Sequence, residues 1–175
     1  HPATVIKIAT IAPEGSSWMD LMHEMERKIA QATGGEVTFK WYAGGVAGDE
    51  LDVIRKMRIG QLHAAGLTGF GMGEILSEFR IMDSPRLFKN EAEIAAVFAK
   101  LEDRFKRGFD SKGHVFIGSS EVGFVYFFAN KSFSSMEEYR KLKVWVWGND
   151  PFAVLLGQAL DLNSVNLAIT DVLTS

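Results

Sequence analysis

The sequence predicts an α/β protein in which a largely parallel sheet packs between helices. Short apolar runs of strand type alternate along the chain with segments whose apolar residues recur at helical spacing. Glycine, proline or a helix-capping residue stands at most of the junctions. Strands and helices in alternation are typical of this fold class. Two further apolar runs, at 123–129 and 144–147, predict that a second lobe follows the first.

The composition is that of a soluble globular protein, with 47% hydrophobic and 23% charged residues. A net charge of −3 gives no electrostatic reason to expect nucleic acid or an anionic membrane as a partner. The absence of cysteine excludes disulfides and thiolate metal sites. No apolar run reaches the roughly 18 residues of a membrane span. No signal peptide is present, although a mature exported protein would have lost it.

The first strand is predicted at 5–12, and the turn at 13–15 ends it because it contains proline and glycine. A helix follows with Ser17 as its N-cap, and the glycines at 34–35 end it. The run VTFKWY then predicts the second strand at 37–42.

Asp49 is a good N-cap for a second helix, and a third, buried strand is predicted at 63–68. The segment 69–88 shows no sustained period, so we expect it to be irregular, with a helical turn near Ile75.

Asn90 and Glu93 form a capping-box pattern at the start of the clearest helix, whose apolar stripe continues to Phe109. A fourth strand is predicted at 114–118, and another in the apolar run at 123–129.

The last quarter of the chain predicts a helix that starts at Ser134 or Ser135 and then a strand at 144–147. Asp150, followed by proline, predicts another helix start because proline lacks a donor that the first helical position does not need. The segment 162–168 is predicted to be a loop or a short strand.

We expect residues 1–122 to form the first lobe and residues 123–175 to form the crossover and the beginning of a second, incomplete lobe. A helix cap at 170–171 stands only a few residues before the end of the chain, which predicts that the fold continues beyond this sequence.

No catalytic set is convincing. The glycines at 69–73 lack the spacing of a phosphate-binding loop, and the histidines have no partner at metal-ligand spacing. Ser119 and Ser120 do not stand in the pattern of a hydrolase nucleophile. We therefore expect neither an enzyme nor a bound metal or cofactor.

Aromatic residues beside glycine at strand ends are the remaining signal. Ligands of open parallel sheets bind beyond the carboxyl ends of the strands. Trp145 and Trp147 alternate with valines, so both indoles should face the same side of their strand, although both could equally be core residues. The candidate segments at strand ends are 13–18, 44–50, 68–70, 121–125 and 145–152.

Several short motifs, in order along the whole chain, resemble the DctP family, the extracytoplasmic solute-binding proteins of tripartite ATP-independent periplasmic (TRAP) transporters. They are IATIAPEGSSW at 8–18, YAGGVAGDE at 42–50, IRKMRIGQLHAA at 54–65, GF and ANK within 123–131, KLKVWV at 141–146, and ALDLN to ITDVLTS at 159–175.

The resemblance implies a periplasmic-binding-protein-like, two-lobed fold that closes on a small organic ligand and delivers it to the membrane subunits of a TRAP permease. It also implies a periplasmic location, no cofactor, no reaction and no nucleic acid. We expect a monomer because nothing in the sequence suggests a symmetric interface.

The sequence departs from the family at two arginines. Family members usually carry an arginine in the strand after a lysine-rich turn, where guanidinium pairs with two oxygens of a substrate carboxylate. The matching position here is Trp145. Many members have a second arginine after the Gly-Phe pair, and that position is Val125.

Without these cations, a buried carboxylate would be costly, so we expect a flatter, more apolar ligand, for example an aromatic one stacked on Trp145. Glu121 could receive a cationic or hydroxyl group of the ligand. The predicted ligand-binding residues are Pro13, Trp18, Glu50, Thr68, Glu121, Phe124, Val125, Trp145, Trp147 and Asn149.

Two other functions stay open at this point. The chain could be the ligand-sensing domain of a signalling protein, which an adjoining membrane helix in the gene would reveal. An α/β enzyme is the weaker alternative, since it predicts a cluster of strongly perturbed titratable groups that the sequence does not offer.

Overall fold

The computed structural model describes residues 3–123, 126, 128–147, 150–167 and 171–172. The chain divides into two compact units, residues 1–116 and residues 117–175. The predicted lobe boundary between residues 122 and 123 stays a prediction. No helix among the described residues is both long enough and apolar enough to cross a membrane.

The first unit is built on a parallel three-stranded sheet. Its strands are β1 Thr4–Thr10, β2 Val37–Tyr42 and β3 Ala64–Gly66, in the order β2-β1-β3. β3 is shorter than predicted and half-buried rather than buried. Because β1 is central, the strand order reverses between β1 and β3, which is where an open sheet of this kind leaves a crevice at its carboxyl edge.

A helix covers each face of this sheet. The indole N–H of Trp41 donates to Glu26 of α1 Ser17–Ala32 at 2.9 Å. The next residue, Tyr42, packs against a buried cluster that contains Val53 of α2 Glu50–Arg58. Adjacent strand residues point to opposite faces, so α1 and α2 lie on opposite sides. The N-cap of α1 is Ser16 and not Ser17 as predicted, because the Ser16 hydroxyl is the group that accepts from the N–H of Met19.

The segment that was expected to be irregular is helical. It forms α3 Gly69–Ile75 and a 3₁₀ helix, Ser77–Asp83. The glycines there are sites of close packing, since a Cβ atom on Gly69 would lie 1.6 Å from the Asp83 carboxylate and one on Gly73 would lie 2.3 Å from the Arg80 side chain. Tertiary packing thus overrides the low helix propensity of glycine.

The longest helix is α4 Glu91–Ser111, and its predicted cap is confirmed. Asn90 accepts from the N–H of Glu93 at 3.0 Å, and Glu93 accepts from the N–H of Lys89 at 2.9 Å. The buried stripe of α4 supplies part of an aromatic cluster whose rings lie 4.8 to 6.3 Å apart, formed by Phe79, Phe98, Phe105, Phe109 and Phe116.

The strand predicted at 114–118 is not present, and the described residues of 123–129 form no strand either. Phe116 is buried in the aromatic cluster, but Val115 and Ile117 are 85% and 90% exposed. The alternation is therefore real, yet no described strand pairs with this segment, and a strand exists only where a neighbour satisfies its backbone groups. Residues 124, 125 and 127 lie outside the described residues.

The second unit holds a parallel strand-helix-strand unit. It comprises α5 Met136–Arg140, β4 Lys143–Trp147, α6 Pro151–Ala159 and β5 Asn163–Leu167, with β4 paired to β5 from Lys143↔Asn163 to Trp147↔Leu167. Ser135 caps α5, and Asp150 caps α6 by accepting from the N–H of Phe152 at 3.0 Å, as the sequence predicted.

Candidate ligand-binding site

In the first unit, the predicted residues lie at the carboxyl edge of the sheet. Pro13 is exposed in the loop after β1. This loop touches the loop after β2, since a Cβ atom on Gly44 would lie 3.9 Å from the Pro13 Cα, and the Gly44 N–H donates to the Ala12 carbonyl at 2.8 Å. The two loops are therefore in direct contact through their backbones.

Trp18, near the start of α1, lies across the carboxyl end of β3. A Cβ atom on Gly66 would meet the six-membered ring of Trp18 at 2.8 and 3.0 Å, so only glycine allows this approach. Gly66 pairs in register with Thr10, the last residue of β1. The indole of Trp18 is thus placed at the point between β1 and β3 where the strand order reverses.

Glu50 and Thr68 are joined directly. The Glu50 carboxylate accepts from the backbone N–H of Thr68 at 2.5 Å and from the Thr68 hydroxyl at 2.7 Å. The N–H of Gly71 also donates to it. Thr68 is the N-cap of α3, so a carboxylate from the first residue of α2 satisfies the free donors at the start of α3.

The Glu50 side chain is almost fully enclosed, with 1% of the residue exposed. Burial raises its pKa from the ordinary value of 4.5, because the charged form loses its hydration. The hydrogen bonds from Thr68 and Gly71 act in the opposite direction but do not outweigh burial. The described hydrogen-bond partners of Glu50 are Thr68 and Gly71, and its direct contact with a ligand stays a prediction.

A second polar group next to this edge was missed by the sequence analysis. His23 in α1 contacts Glu14 of the β1–α1 loop at 3.2 Å and Glu26 at 3.3 Å, and its ring lies edge-on to Trp41 with centroids 6.0 Å apart. Hydrogen bonds to Glu14 and then Glu26 raise the pKa of His23. Nothing in the sequence links Glu14 to His23, because their proximity depends on how the loop turns into α1.

In the second unit, the two tryptophans of β4 lie side by side, with ring centroids 6.1 Å apart and planes inclined at 36°. They share one side of the strand, as the alternation with valine predicted. The Trp145 indole N–H donates to the backbone carbonyl of Leu167 in β5 at 3.1 Å. The residue is still 38% exposed. The ring is therefore anchored by its nitrogen while part of its surface stays open.

The other predicted residues are less informative. Glu121 is exposed. Phe124, Val125 and Asn149 lie outside the described residues. Within the described part of the chain, no three histidine or carboxylate side chains are placed to hold a metal ion. What the geometry offers is a glycine-lined, aromatic edge in one unit and an anchored aromatic pair in the other.

A family model matches residues 8–175, nearly the whole chain. Its description is DctP, bacterial extracellular solute-binding protein, family 7.

Solved structures of similar fold come from several bacteria and are described as TRAP periplasmic solute-binding proteins. One from Xanthobacter autotrophicus Py2, with bound β-D-galacturonate, is 20% identical with a TM-score of 0.87; the match covers 97% of this chain and 57% of that one. One from Desulfovibrio salexigens, with bound orotic acid, is 19% identical with a TM-score of 0.85 and coverages of 97% and 55%. One from Haemophilus influenzae, with bound L-gulonate, is 20% identical with a TM-score of 0.84 and coverages of 97% and 56%. The chain thus spans a little over half the length of these proteins.

Proposed function

Because the chain belongs to the DctP family of bacterial extracellular solute-binding proteins, we propose that it is the receptor of a TRAP transporter. In this role it binds a small organic ligand between two lobes in the periplasm and delivers it to the membrane permease. A ligand that contacts both lobes would shift the population from open to closed forms by its differential affinity.

Family membership supports this proposal and confirms the resemblance predicted from the sequence. The parallel α/β fold agrees with that of TRAP solute-binding proteins. The family consists of binding proteins and not of enzymes, in agreement with the prediction that the chain is not an enzyme. A signalling role has no observation in its favour.

We further propose that the ligand presents a flat face, and the single observation that carries this is the state of Trp145. Its indole N–H is already bonded to the Leu167 carbonyl, so the open part of the ring can offer a π-surface but no donor. An aromatic face attracts another flat ring or a cation. The arginine that the family resemblance led us to expect at this position would bind a carboxylate instead.

The ligands in the similar structures sharpen the choice. The relatives named above hold a uronate, a sugar acid and orotate. All three are carboxylates, and orotate is also a flat ring. A ligand like orotate would satisfy both the stacking surface of this chain and the chemistry of its relatives, whereas the uronate and the sugar acid contain no planar aromatic ring.

Calorimetric titration of the full-length gene product tests the proposal. The probes are orotate, uracil, the cationic aromatic tyramine and D-glucuronate. We expect binding of at least one flat probe and weaker or no binding of D-glucuronate. Trp145→Ala should lower the affinity for the flat probe about tenfold or more, since base stacking on an aromatic side chain contributes about 1–3 kcal/mol. Leu155→Ala is the matched control, because Leu155 is an exposed side chain on α6.

One result would contradict the ligand class, and another would contradict the receptor function. Tight binding of D-glucuronate that is insensitive to Trp145→Ala would mean that another residue holds an anion, while receptor function would stand. Chemical turnover of any probe would contradict the receptor proposal itself.

A further inference from the structure

The indole nitrogens of the chain differ in what they bind. The N–H of Trp41 donates to the Glu26 carboxylate at 2.9 Å, and that of Trp145 donates to the Leu167 carbonyl at 3.1 Å. The N–H of Trp18 has no acceptor among the residues that the structure describes. No unpartnered side-chain nitrogen in that part of the chain is buried, so the Trp18 nitrogen is accessible to solvent.

The position of this free donor is fixed by packing. The six-membered ring of Trp18 rests on the backbone of Gly66, where a Cβ atom would stand 2.8 Å from it. Trp18 is half-buried, and the neighbouring Met19 is fully buried, which holds the start of α1 against the sheet. A rigid donor at the carboxyl ends of β1 and β3 is what a ligand entering this crevice would meet.

We infer that Trp18 is a specificity-determining residue whose indole N–H donates a hydrogen bond to an acceptor oxygen of the ligand. The inference rests on the proposed receptor function and adds a chemical requirement to it. An indole nitrogen only donates, so the group that it recognises is a carboxylate, carbonyl or hydroxyl oxygen and not an ammonium. A site built to hydrogen-bond a polar group discriminates strongly against analogues that lack it.

Trp18 and Trp145 therefore contribute different chemistry. Trp145 offers a ring surface, because its nitrogen is engaged within its own unit. Trp18 offers a directional hydrogen-bond donor, because its indole nitrogen has no acceptor among the described residues. Orotate and uracil share a ring with two carbonyl acceptors and differ by the carboxylate, so comparing their affinities in the wild type and in Trp18→Phe shows whether the oxygen that Trp18 binds belongs to the carboxylate or to the ring.

The experiment compares Trp18→Phe with Trp41→Phe in the full-length gene product. Trp18→Phe removes the N–H and keeps an aromatic ring, and Trp41→Phe removes an indole whose N–H is already bonded outside the predicted site. We expect Trp18→Phe to lower the affinity for orotate about tenfold or more, or the affinity for D-glucuronate if that is the acid that binds. Trp41→Phe should leave the affinity unchanged. Thermal unfolding of both variants checks that they fold.

A second measurement needs no variant of the site. In protein labelled with ¹⁵N at the indoles, the Trp18 N–H should exchange with solvent faster than those of Trp41 and Trp145, and the bound acid should slow this exchange.

The results separate the inference from the proposed function. If the acid binds the wild type but Trp18→Phe binds it equally well, or if the Trp18 N–H is protected without ligand, the inference is wrong and the receptor function stands. If only uracil or tyramine binds the wild type, the same comparison of Trp18→Phe with Trp41→Phe is made with that probe, and equal affinities of the two variants contradict the inference. If none of the four probes binds the wild type, the proposed ligand class fails and the inference fails with it.

Discussion

The two units of the molecule contain similar elements but bury them to different extents. In the first unit, a three-stranded sheet is covered on both faces, and Phe105 and Phe109 are almost completely inaccessible. In the second unit, a two-stranded sheet carries one helix, and Leu155 of that helix is 62% exposed. Parallel strands are stable when helices cover both sides of the sheet. The difference teaches that the stability of this chain resides mainly in its first unit.

The largest expected effect is in the aromatic cluster. Phe105→Ala should lower the free energy of unfolding by about 3–5 kcal/mol, because it leaves a cavity among the surrounding phenylalanines. Leu155→Ala in the second unit is the matched truncation and should change the stability by no more than about 0.5 kcal/mol. Urea unfolding followed by circular dichroism measures both. Equal effects of the two substitutions would remove the contrast between the units.

A smaller effect is expected where α2 and α3 are joined. Thr68→Val keeps the shape of the side chain but removes the hydroxyl that donates to Glu50, so a buried carboxylate loses a partner. The expected loss is about 1.5–3 kcal/mol in the same unfolding experiment. Ser135→Ala serves for comparison, since it removes the exposed cap of α5. If Thr68→Val left the free energy of unfolding unchanged, water would be replacing the hydroxyl and the carboxylate would be less enclosed than described.

Glu50 in the first unit and Glu138 in the second should contribute to the pH dependence of stability with opposite signs. Glu50 has a raised pKa, so the folded state binds more protons than the unfolded state, and its contribution to stability is lost as the pH rises from 4.5 through the folded pKa. Glu138 has a lowered pKa because the Ser134 N–H and hydroxyl donate to it, so its contribution is lost as the pH falls below 4.5. The free energy of unfolding of each variant is measured between about pH 3 and pH 7. Glu50→Gln should remove a decrease of stability with rising pH, and Glu138→Gln should remove an increase. The same sign for both would contradict the assigned environments.

The smallest effect concerns the loop after β1. His23 should titrate above 6.5, because Glu14 and Glu26 stabilise the imidazolium, and its contribution to stability is lost as the pH rises through that folded pKa. Glu14→Gln should lower the pKa of His23, as measured by NMR titration of the ring protons. Glu24→Gln is the control, because Glu24 pairs with Lys28 and not with His23. An unchanged pKa in Glu14→Gln would show that the loop does not hold Glu14 against the ring in solution.

The parts of the fold that the sequence predicted well are those that depend on neighbouring residues. Asp49, Asn90 and Asp150 cap helices because their side chains reach donors two or three residues away. The strand predicted at 114–118 was wrong for the opposite reason, and the same holds for the described residues of 123–129. Alternation describes one strand, but pairing requires another, and that partner is not encoded locally. The glycines of α3 likewise led to the prediction of an irregular segment. They are needed because Asp83 and Arg80, from a later turn, pack against positions where a Cβ atom would clash.

The place of Trp18 and Thr68 at strand ends was predictable from the sequence, whereas their hydrogen bonding was not, and their role in binding a ligand stays a prediction. The rule that ligands bind at strand ends pointed to Trp18 and Thr68, and both lie at the carboxyl edge of the sheet. The hydrogen bonds between Glu50 and Thr68 join residues 18 positions apart, and no spacing rule anticipates them. Whether an indole nitrogen is free or bonded likewise depends on tertiary contacts.

The contact between His23 and Trp41 also has an optical consequence. The imidazole edge faces the indole at an angle of 77° with a centroid separation of 6.0 Å. A protonated imidazole takes an electron from an excited indole and so quenches its fluorescence, whereas the neutral ring does not. The emission of Trp41 should therefore dim as the solution becomes more acidic, and the folded protein carries its own fluorescent indicator of the charge on one histidine.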